Sequence, residues 1–422
     1  MVGHIKDLLF FPVAYYFAFW AKIRLTRWNP RVIVVTGSSG KTTLFHMLEA
    51  QLGDRAHFSH HANSAIGIPF DILDLHRKTL KPYEWISILF KAPAQAFKKP
   101  YSERIYVAEC DADRPGEGKF LANLLKPEIT IWVSSSRTHS MNFDKLVPSK
   151  FKSVEDAIAF EFGNFLEHTS KLVVIDGDSE LMTNNITRTK AKVENVKIDE
   201  LKKYILSKDG VEFTTNNETF RLKSLFPKEA FYSIRMAQIM SAYFKLPFDK
   251  NFKNLYIPPA RSSLFRGIKN ITIIDSTYNA NFSSMSAILS MFQEFPAKSK
   301  WMVIGDMLEQ GSVEQEEHEK LAELLLTIDT KRIVLLGPRV KKYTYPILKV
   351  KLEKSIPLDV FENPKDVLTL LQKEIKGGET ILFKGARFLE GVIENLLLDK
   401  KEKNLLARRE KIWEERRHKW GL

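Results

Sequence analysis

The sequence contains a single cysteine, Cys110, in 422 residues. One thiol excludes an internal disulfide framework and a zinc site built from cysteines, and it is compatible with a reducing compartment. No apolar run reaches the roughly 20 residues that a transmembrane helix needs. The apolar segment near the start lacks a following small-residue cleavage site, which argues against a cleaved signal peptide. We therefore expect a cytoplasmic protein.

The composition is that of a globular protein. Hydrophobic residues make up 44% of the chain and charged residues 27%, which suits two or three domains with sizeable cores. The formal net charge of +13 favours polyanionic partners such as nucleic acid, anionic lipid or phosphorylated substrates. Because the lysines are scattered and no nucleic-acid-binding signature stands out, we expect no nucleic-acid partner.

The most informative stretch is residues 32–43, VIVVTGSSGKTT. Four β-favouring residues lead into a glycine-rich turn, and a helical pattern follows over 44–52. Strand, glycine turn and helix form a phosphate cradle, in which backbone N–H groups and the helix N-terminus face the phosphate oxygens. Lys41 is placed to reach the outer phosphates and Thr42 to bind Mg²⁺. The predicted nucleotide-binding loop comprises Gly37, Ser38, Ser39, Gly40, Lys41, Thr42 and Thr43.

Two further segments stand out from the rest of the chain. Residues 8–21, LLFFPVAYYFAFWA, are apolar and aromatic with basic flanks. Such a segment suits an interfacial helix on an anionic membrane, or equally a helix packed on the body of the protein. Residues 399–422 space apolar side chains among Lys, Arg and Glu, as in an amphipathic helix that docks on the protein or touches lipid.

The alternation of short apolar runs with helical stretches predicts an α/β protein with two sheets. The first set of strand candidates is 32–36, 105–109, 129–134 and 172–176, and the second set is 271–275, 301–304, 332–336 and 380–384. Alternation of this kind is typical of a mostly parallel sheet with helices on both faces. Residues 251–266, which contain two consecutive prolines, are interpreted as a linker.

This organisation gives four predicted parts. They are an apolar helical segment (1–30), a P-loop ATP-binding domain with a mostly parallel sheet (31–255), a C-terminal Rossmann-like α/β domain (256–398) and a charged amphipathic tail helix (399–422).

Six blocks beyond the phosphate loop resemble one family in their order along the chain. They are HANSAIGIPFDIL (61–73), VAECDADRPGE (107–117), KPEITIWVSSSRTHSMNF (126–143), DSTYNANFSSM (275–285), VIGDMLEQG (303–311) followed by His318, and LFKGARFLEGVIENL (382–396). Together they resemble the Mur ligases, ATP-dependent amide-bond-forming enzymes of cell-wall synthesis. The blocks at 278–281 and 305–307 are most similar to the branch that joins a dipeptide to a muramyl tripeptide.

The resemblance implies a reaction and its catalytic residues. Such ligases transfer the ATP γ-phosphate to a substrate carboxylate, and an amine then attacks the acyl phosphate, so positioning and metal electrostatics dominate catalysis. Lys41 would neutralise phosphate charge, and Mg²⁺ would be held by Thr42, Glu109 and His139. ATP and Mg²⁺ are the implied cofactors. The implied partners are an amino acid or dipeptide and a cell-wall-precursor acceptor.

The resemblance also assigns residues to nucleotide and substrate binding. Implied nucleotide contacts outside the loop are Asn63, Gln238, Arg261, Asp275 and Asn279. Implied contacts to the incoming amino-acid component are Asn281, Lys384 and Arg387.

The chain departs from the family pattern at three places. Phe162 stands where the family has a carbamylated lysine between two metal ions, so the second ion would need another ligand such as Glu161 or water. Arg235 replaces one of two asparagines on the adenine-binding helix. Only about 30 residues precede the phosphate loop, where the family carries a UDP-sugar-binding domain.

These departures leave the acceptor open. The leading interpretation is a cytoplasmic ligase, peripheral at the inner face of the membrane if its acceptor is lipid-linked. The alternatives are a ligase for an acceptor outside the cell wall and a nucleotide-binding scaffold with weakened catalysis. The single cysteine excludes the truncated subgroup of relatives that carries a four-cysteine zinc ribbon.

Overall fold

A computed structural model describes residues 2–60, 62–77, 83–138, 140–147, 150–385 and 388–422. The chain divides into two compact units. Unit 1 comprises Met1–Ile198 and Tyr232–Asp249, and unit 2 comprises Asp199–Phe231 and Lys250–Leu422. The domain boundaries expected from the sequence stay a prediction.

The described residues form a mixture of helices and strands, as an α/β fold requires. The strands are β1 Arg31–Thr36, β2 Ala56–Phe58, β3 Ile105–Cys110, β4 Ile129–Trp132, β5 Leu172–Asp176, β6 Lys192–Val196, β7 Lys203–Ser207, β8 Gly210–Thr214, β9 Thr219–Leu222, β10 Ser263–Arg266, β11 Thr272–Ser276, β12 Lys300–Gly305, β13 Arg332–Leu336, β14 Leu358–Phe361 and β15 Thr380–Lys384. The α-helices are α1 Val2–Trp28, α2 Lys41–Leu52, α3 Gly67–Leu73, α4 Glu84–Phe97, α5 Glu117–Leu125, α6 Val154–His168, α7 Glu180–Thr183, α8 Ala230–Tyr243, α9 Phe282–Glu294, α10 Glu314–Leu326, α11 Tyr345–Lys351, α12 Pro364–Glu374, α13 Leu389–Leu396 and α14 Lys411–His418.

The sheet of unit 1 places the phosphate loop at its centre. Its six strands run in the order β2-β3-β1-β4-β5-β6, and the paired strands are all parallel. From β1 the chain first builds β2 and β3 on one side and then crosses to β4 on the other. In open parallel sheets, ligands bind at the carboxyl ends of the strands where the order reverses. The glycine turn after β1 lies at this point.

The main sheet of unit 2 also has six strands, in the order β10-β11-β15-β12-β13-β14. All pairs are parallel except β10 with β11, which is antiparallel. The interpretation of 251–266 as a linker is therefore wrong at its end, because Ser263–Arg266 forms the edge strand. A small antiparallel sheet of β7, β8 and β9 has no counterpart among the predicted strands.

Helix α1 packs its inner face on the body of unit 1. Its buried apolar side chains join the core cluster that α3 and α4 also line; they are Ala14, Phe17, Ala18, Ala21, Leu25 and Trp28. The buried Arg24 guanidinium donates hydrogen bonds to the carbonyl oxygens of Leu73 (3.2 Å) and Gln95 (3.1 Å). In the part of the chain that the structure describes, no helix combines the length and the apolar character that crossing a membrane takes.

This packing predicts opposite outcomes for two neighbouring phenylalanines. Phe17 is fully buried, whereas 60% of Phe19 is exposed. We expect Phe17→Ala to lower the free energy of unfolding by about 3–5 kcal/mol, because it leaves a cavity in the core. The matched variant Phe19→Ala should change it by less than about 0.5 kcal/mol. Urea unfolding of both proteins measures the difference, and equal losses would mean that α1 is not packed as described.

The tail docks on unit 2 as broken helical pieces. The expected single amphipathic helix over 399–422 is instead a 3₁₀ segment, Lys400–Leu405, followed by α14. Leu406 is buried in the cluster that α12 and α13 line. The aromatic side chains of Trp413 and Trp420 lie near Phe388. Of the two sequence interpretations, docking on the protein is the one seen.

Candidate active site

The phosphate loop has the backbone conformation that its glycines permit. Gly37 has φ of 134° and Gly40 has φ of 81°, both in the region that side chains rarely adopt. A Cβ atom on Gly37 would lie 2.7 Å from the carbonyl oxygen of Ser134. Only glycine fits at this close approach of two backbones. The turn then enters α2 at Lys41.

A serine-rich segment after β4 supports the loop. Ser38 donates from its backbone N–H to the Ser134 carbonyl (3.1 Å) and from its hydroxyl to the Ser136 carbonyl (2.6 Å). The backbone N–H of Ser39 donates to the Ser134 hydroxyl (2.9 Å). These bonds fix the conformation of the loop. The sequence analysis did not single out these supporting serines, although they lie within a block that carried the family resemblance.

The ammonium of Lys41 lies at the floor of the loop. Its side chain is 8% exposed and forms an ion pair of 2.8 Å with Asp111, whose side chain is also 8% exposed. It also donates a hydrogen bond to the Gly37 carbonyl oxygen. The ion pair fixes the position of the Lys41 ammonium beside the loop. Asp111 directly follows β3 and lies within a family block, but it was not among the predicted site residues.

Thr42 and Glu109 provide two oxygen atoms beside that ammonium. The Thr42 hydroxyl donates to the Glu109 carboxylate at 3.0 Å. Strand pairing sets this contact, because Val35 lies opposite Glu109 at the carboxyl ends of β1 and β3. A hydroxyl and a carboxylate are hard oxygen donors of the kind that Mg²⁺ takes together with phosphate oxygens. These residues therefore fit the magnesium ion expected from the sequence. Thr43 lies in the same first turn of α2.

The other expected metal ligand and one expected substrate contact cannot be placed. His139 and Arg387 lie outside the described residues.

Phe162 occupies a closed apolar environment on α6. It is fully buried, and its ring centroid lies 6.0 Å from that of Trp132. Its neighbour Glu161 accepts hydrogen bonds from the backbone N–H groups of Gly116 (2.8 Å) and Gly118 (3.2 Å). The Glu161 carboxylate therefore stabilises the N-terminus of α5, and burial raises its pKa. In this arrangement Glu161 has a structural task that competes with metal binding.

The other expected nucleotide contacts of unit 1 lie on two elements. Asn63 is exposed, and its carbonyl oxygen accepts from the backbone N–H of Asp111 at 2.7 Å, which ties its loop to the end of β3. Arg235 and Gln238, one turn apart on α8, form a hydrogen bond between their side chains. The contact of Gln238 with the nucleotide stays a prediction.

In unit 2, Asp275 and Lys384 lie on the adjacent strands β11 and β15. Asp275 is fully buried, and burial raises the pKa of its carboxyl to about 6. It accepts from the backbone N–H (3.0 Å) and hydroxyl (2.7 Å) of Thr277. Lys384 donates to the Asn279 carbonyl oxygen at 2.6 Å. Burial, with a smaller contribution from Arg261, lowers the pKa of the Lys384 ammonium to about 7.

The loop between β11 and α9 carries the remaining expected contacts. The Asn279 side-chain oxygen accepts from the backbone N–H of Ala280 at 2.8 Å. Asn281 caps α9, because its side chain accepts from the backbone N–H of Ser284 while the Ser284 hydroxyl accepts from the Asn281 N–H. Asn281 thus has a structural task that the sequence analysis did not anticipate. The guanidinium of Arg261 stacks over the Tyr278 ring at 4.3 Å.

The tail adds residues that no motif indicated. Arg408 donates to the Tyr278 carbonyl oxygen at 2.7 Å and forms an ion pair of 3.6 Å with the buried Glu390. Glu390 lies inside the last family block but was not singled out. Arg408 belongs to a segment interpreted only as an amphipathic helix, so its contact with the loop could not be predicted from periodicity.

The low pKa of Lys384 predicts a pH dependence of stability. Between pH 7 and 10.5 the unfolded chain binds a proton at this lysine that the folded protein does not. The free energy of unfolding of the wild type, relative to Lys384→Met, should therefore rise with pH across this window, by up to about 1.4 kcal/mol per unit. Denaturant unfolding at several pH values measures it. A difference independent of pH would contradict a neutral buried amine.

Comparison with known proteins supports one family. The family model described as the Mur ligase middle domain matches residues 35–243, and the model described as the Mur ligase, glutamate ligase domain matches residues 260–387. The UDP-N-acetylmuramoyl-tripeptide–D-alanyl-D-alanine ligase of Bacillus subtilis is 27% identical over 390 residues, which cover 89% of this chain and 78% of the relative.

Solved structures show the same fold. The MurF ligase of Thermotoga maritima in complex with ADP superimposes with a TM-score of 0.73 at 19% identity, over 96% of this chain and 84% of that one. The folylpolyglutamate synthase of Mycobacterium tuberculosis complexed with ADP and AMPPCP gives a TM-score of 0.59 at 13% identity, over 89% and 94%.

Proposed function

We propose, from the premise that this chain belongs to the Mur ligase family, that it joins D-alanyl-D-alanine to the terminal carboxylate of a muramyl-peptide precursor. Its reaction class is that of the family: an ATP-dependent, ADP-forming ligase that makes an amide bond. The observation that carries the site assignment is the Thr42–Glu109 oxygen pair beside the buried Lys41. The relative in Bacillus subtilis, named for this dipeptide and tripeptide, supports the choice of substrates.

Residues of unit 1 would bind the phosphates of ATP. The backbone N–H groups at the start of α2 would bind the phosphate oxygens, since those of Ser38 and Ser39 donate to Ser134. Lys41 would exchange its bond to Asp111 for the γ-phosphate. Thr42 and Glu109 would hold Mg²⁺, with His139 as a further proposed ligand. When bound, the ion would supply positive charge that offsets the charge on the transferred phosphoryl group. Asn63 and Gln238 are the proposed contacts to the rest of the nucleotide.

The proposed reaction has two steps. A carboxylate oxygen of the acceptor attacks the γ-phosphorus, the bond to the β-phosphate oxygen breaks, and ADP leaves. The amine of the dipeptide then attacks the acyl carbon of the acyl phosphate, phosphate leaves, and the amine loses a proton. Lys41 stabilises the charge that builds on phosphoryl oxygens in the first step.

Residues of unit 2 would bind the ribose and phosphates of ATP and the incoming dipeptide. Arg261, Asp275 and Asn279 are the proposed nucleotide contacts. The proposed contacts to the dipeptide are Asn281, Lys384 and Arg387. The buried Lys384 is a suitable partner for the dipeptide carboxylate, since an anion beside it would favour its charged form. The cap of α9 engages both the side chain and the backbone N–H of Asn281, so a contact of Asn281 with the dipeptide would require this cap to rearrange.

We also propose that the acceptor is met at the inner face of the membrane as a lipid-linked precursor. The support is the group of exposed apolar side chains on α1 and α4, among them Phe19 and Phe90. A soluble UDP-linked acceptor is the alternative that the named relatives favour. The test below also distinguishes two other functions. They are a ligase for an acceptor outside the cell wall and a nucleotide-binding scaffold with weakened catalysis.

The test is ADP formation with each substrate omitted in turn. We expect turnover only when ATP, a muramyl tripeptide and D-alanyl-D-alanine are all present, with a product whose mass equals the sum of the two peptides less one water. Parallel assays with UDP-linked and lipid-linked acceptors decide how the acceptor is presented. ATP binding without amine-dependent turnover on any acceptor would instead identify a scaffold.

A further inference from the structure

The outer sides of α1 and α4 expose an unusual amount of apolar surface. The exposed side chains, here called the outer surface, are Leu9 (51% exposed), Tyr15 (62%), Tyr16 (36%), Phe19 (60%), Tyr83 (63%), Ile86 (61%), Phe90 (80%) and Phe97 (62%). Single exposed apolar residues are common, but a contiguous group marks an interaction site.

Contacts between α1 and α4 place the two helices side by side. The Tyr16 hydroxyl donates to the carbonyl oxygen of Leu89 at 2.8 Å. The ring centroids of Trp20 and Phe97 lie 6.5 Å apart. The spacing of Tyr83, Ile86 and Phe90 follows the turns of a helix, while the opposite side of α4 is buried in the core. Both helices therefore present an apolar outer side next to each other.

The exposed charged side chains that α1 and α4 contribute within residues 9–28 and 83–99 have one sign. They are all basic: Lys22, Arg27, Lys91, Lys98 and Lys99. The one acidic residue in these ranges, Glu84, is half-buried. Aromatic side chains bordered by lysine and arginine fit the boundary between hydrocarbon and anionic headgroups.

We propose that the outer surface of α1 and α4 docks the protein on an anionic phospholipid bilayer, with the two helices lying flat. This inference deepens the proposed function, because it would bring the enzyme to a lipid-linked acceptor. It extends the membrane interpretation of residues 8–21 to a second helix. It also reconciles the two interpretations of that segment, since the inner side of α1 packs on the protein while its outer side remains available.

Co-sedimentation of the full chain with vesicles tests this proposal. We expect binding to vesicles containing roughly one third phosphatidylglycerol, and loss of binding on vesicles of phosphatidylcholine alone or in high salt. The double variant Phe19→Ser, Phe90→Ser should bind at least ~tenfold more weakly, because it removes the most exposed ring from α4 and a central ring from α1. The matched control is Val350→Ser, an 83% exposed apolar residue in unit 2, which should bind as the wild type does.

The outcomes separate docking from catalysis. Thermal unfolding checks that the double variant is folded, and its turnover on a soluble acceptor should equal that of the wild type. A wild type that stays in the supernatant, or a double variant that binds equally well, overturns the docking proposal and leaves the ligase intact. If the wild type does not bind vesicles but forms a dimer that the double variant loses, the outer surface binds a second copy of the chain. That result would also overturn the docking proposal. If the wild type shows no turnover with any acceptor, the proposed function is refuted instead.

An independent observation in unit 1 points to a second metal site. His46 and Glu49 lie one turn apart on α2, and His60 follows β2. The Glu49 carboxylate contacts His46 Nδ1 at 2.8 Å and His60 Nε2 at 2.9 Å, and the three ligand atoms lie within 4.8 Å of one another. His46 is buried, whereas His60 and Glu49 are partly open to solvent, which leaves room for a further ligand.

We propose that His46, Glu49 and His60 bind a divalent transition metal such as Zn²⁺. Two imidazoles and a carboxylate with an open position are a ligand set that zinc takes. The ring of His60 is supported by Phe45, with centroids 5.4 Å apart. This set differs in chemistry from the oxygen pair of the magnesium site.

Equilibrium dialysis against Zn²⁺ in excess Mg²⁺ and ATP tests the site. We expect one zinc ion per wild-type chain and none for His60→Ala. The control His76→Ala, which removes an exposed histidine paired with Asp74, should keep the ion. Thermal unfolding should show zinc stabilising the wild type and the control only. Equal zinc content in wild type and His60→Ala, or no zinc in either, overturns the proposal.

Discussion

Lys41→Ala is expected to reduce turnover by about 10³-fold or more while leaving the protein folded. The substitution removes the one ammonium seen at the floor of the phosphate loop in the described structure. Charge on the transferred phosphoryl oxygens then lacks its partner, a loss on the order of several kcal/mol in the transition state. The measurement is the rate of ADP formation with both substrates saturating.

Two controls make this result specific. Asp111 would lose its partner in Lys41→Ala, so unfolding must be measured beside activity. Lys91→Ala, at an exposed position on α4, should keep wild-type turnover on a soluble acceptor. A folded Lys41→Ala protein with wild-type turnover would refute the assignment of the phosphate loop.

Phe162→Lys is expected to destabilise the protein by about 3 kcal/mol or more. The residue is fully buried beside Trp132, so the variant replaces core packing with an amine that must be either charged without a partner or neutralised. The matched variant Phe162→Leu should cost less, because it stays apolar. Denaturant unfolding of the two variants measures the difference.

The family resemblance offers a contrary expectation for the same variant. If residue 162 faces the metal site, a carbamylated lysine there would bridge metal ions. Adding bicarbonate and Mg²⁺ would then restore stability and raise turnover. Such a rescue would show that α6 presents this position to the metal site and that the burial of Phe162 is not the deciding factor.

The sequence predicted the parallel strands well, because buried strands read as uninterrupted apolar runs. Seven strands lie within one residue of their candidates at each end: β1, β3, β5, β11, β12, β13 and β15. The prediction missed short or edge strands such as β2, with three residues, and β10, which follows two prolines. Their pairing depends on partners far away in sequence, which periodicity does not report.

The site was predictable where a local motif determines geometry. Lys41 and Thr42 follow from the loop, and Glu109 lies beside them because strand register brings β3 next to β1. Contacts made between distant segments were not predictable. The Asp111 partner of Lys41 and the Arg408 contact to the Tyr278 carbonyl both depend on tertiary packing.

The apolar segment at residues 8–21 shows most clearly what could not be predicted from the sequence. Its composition alone is equally compatible with lipid contact and with core packing. The structure shows that opposite sides of one helix have different environments, since Phe17 is buried and Phe19 exposed. The contribution of α4 to the outer surface arises only when the two helices are placed side by side.

The central claim is that the chain activates a carboxylate as an acyl phosphate at the Lys41 site. The direct measurement uses a muramyl tripeptide labelled with ¹⁸O in its terminal carboxylate, together with ATP and D-alanyl-D-alanine. We expect each turnover to release inorganic phosphate carrying one ¹⁸O atom, because a carboxylate oxygen becomes the bridging oxygen of the acyl phosphate. We also expect this transfer of ¹⁸O to be lost in Lys41→Ala. Amide formation with all of the ¹⁸O left in the product or in water would contradict it.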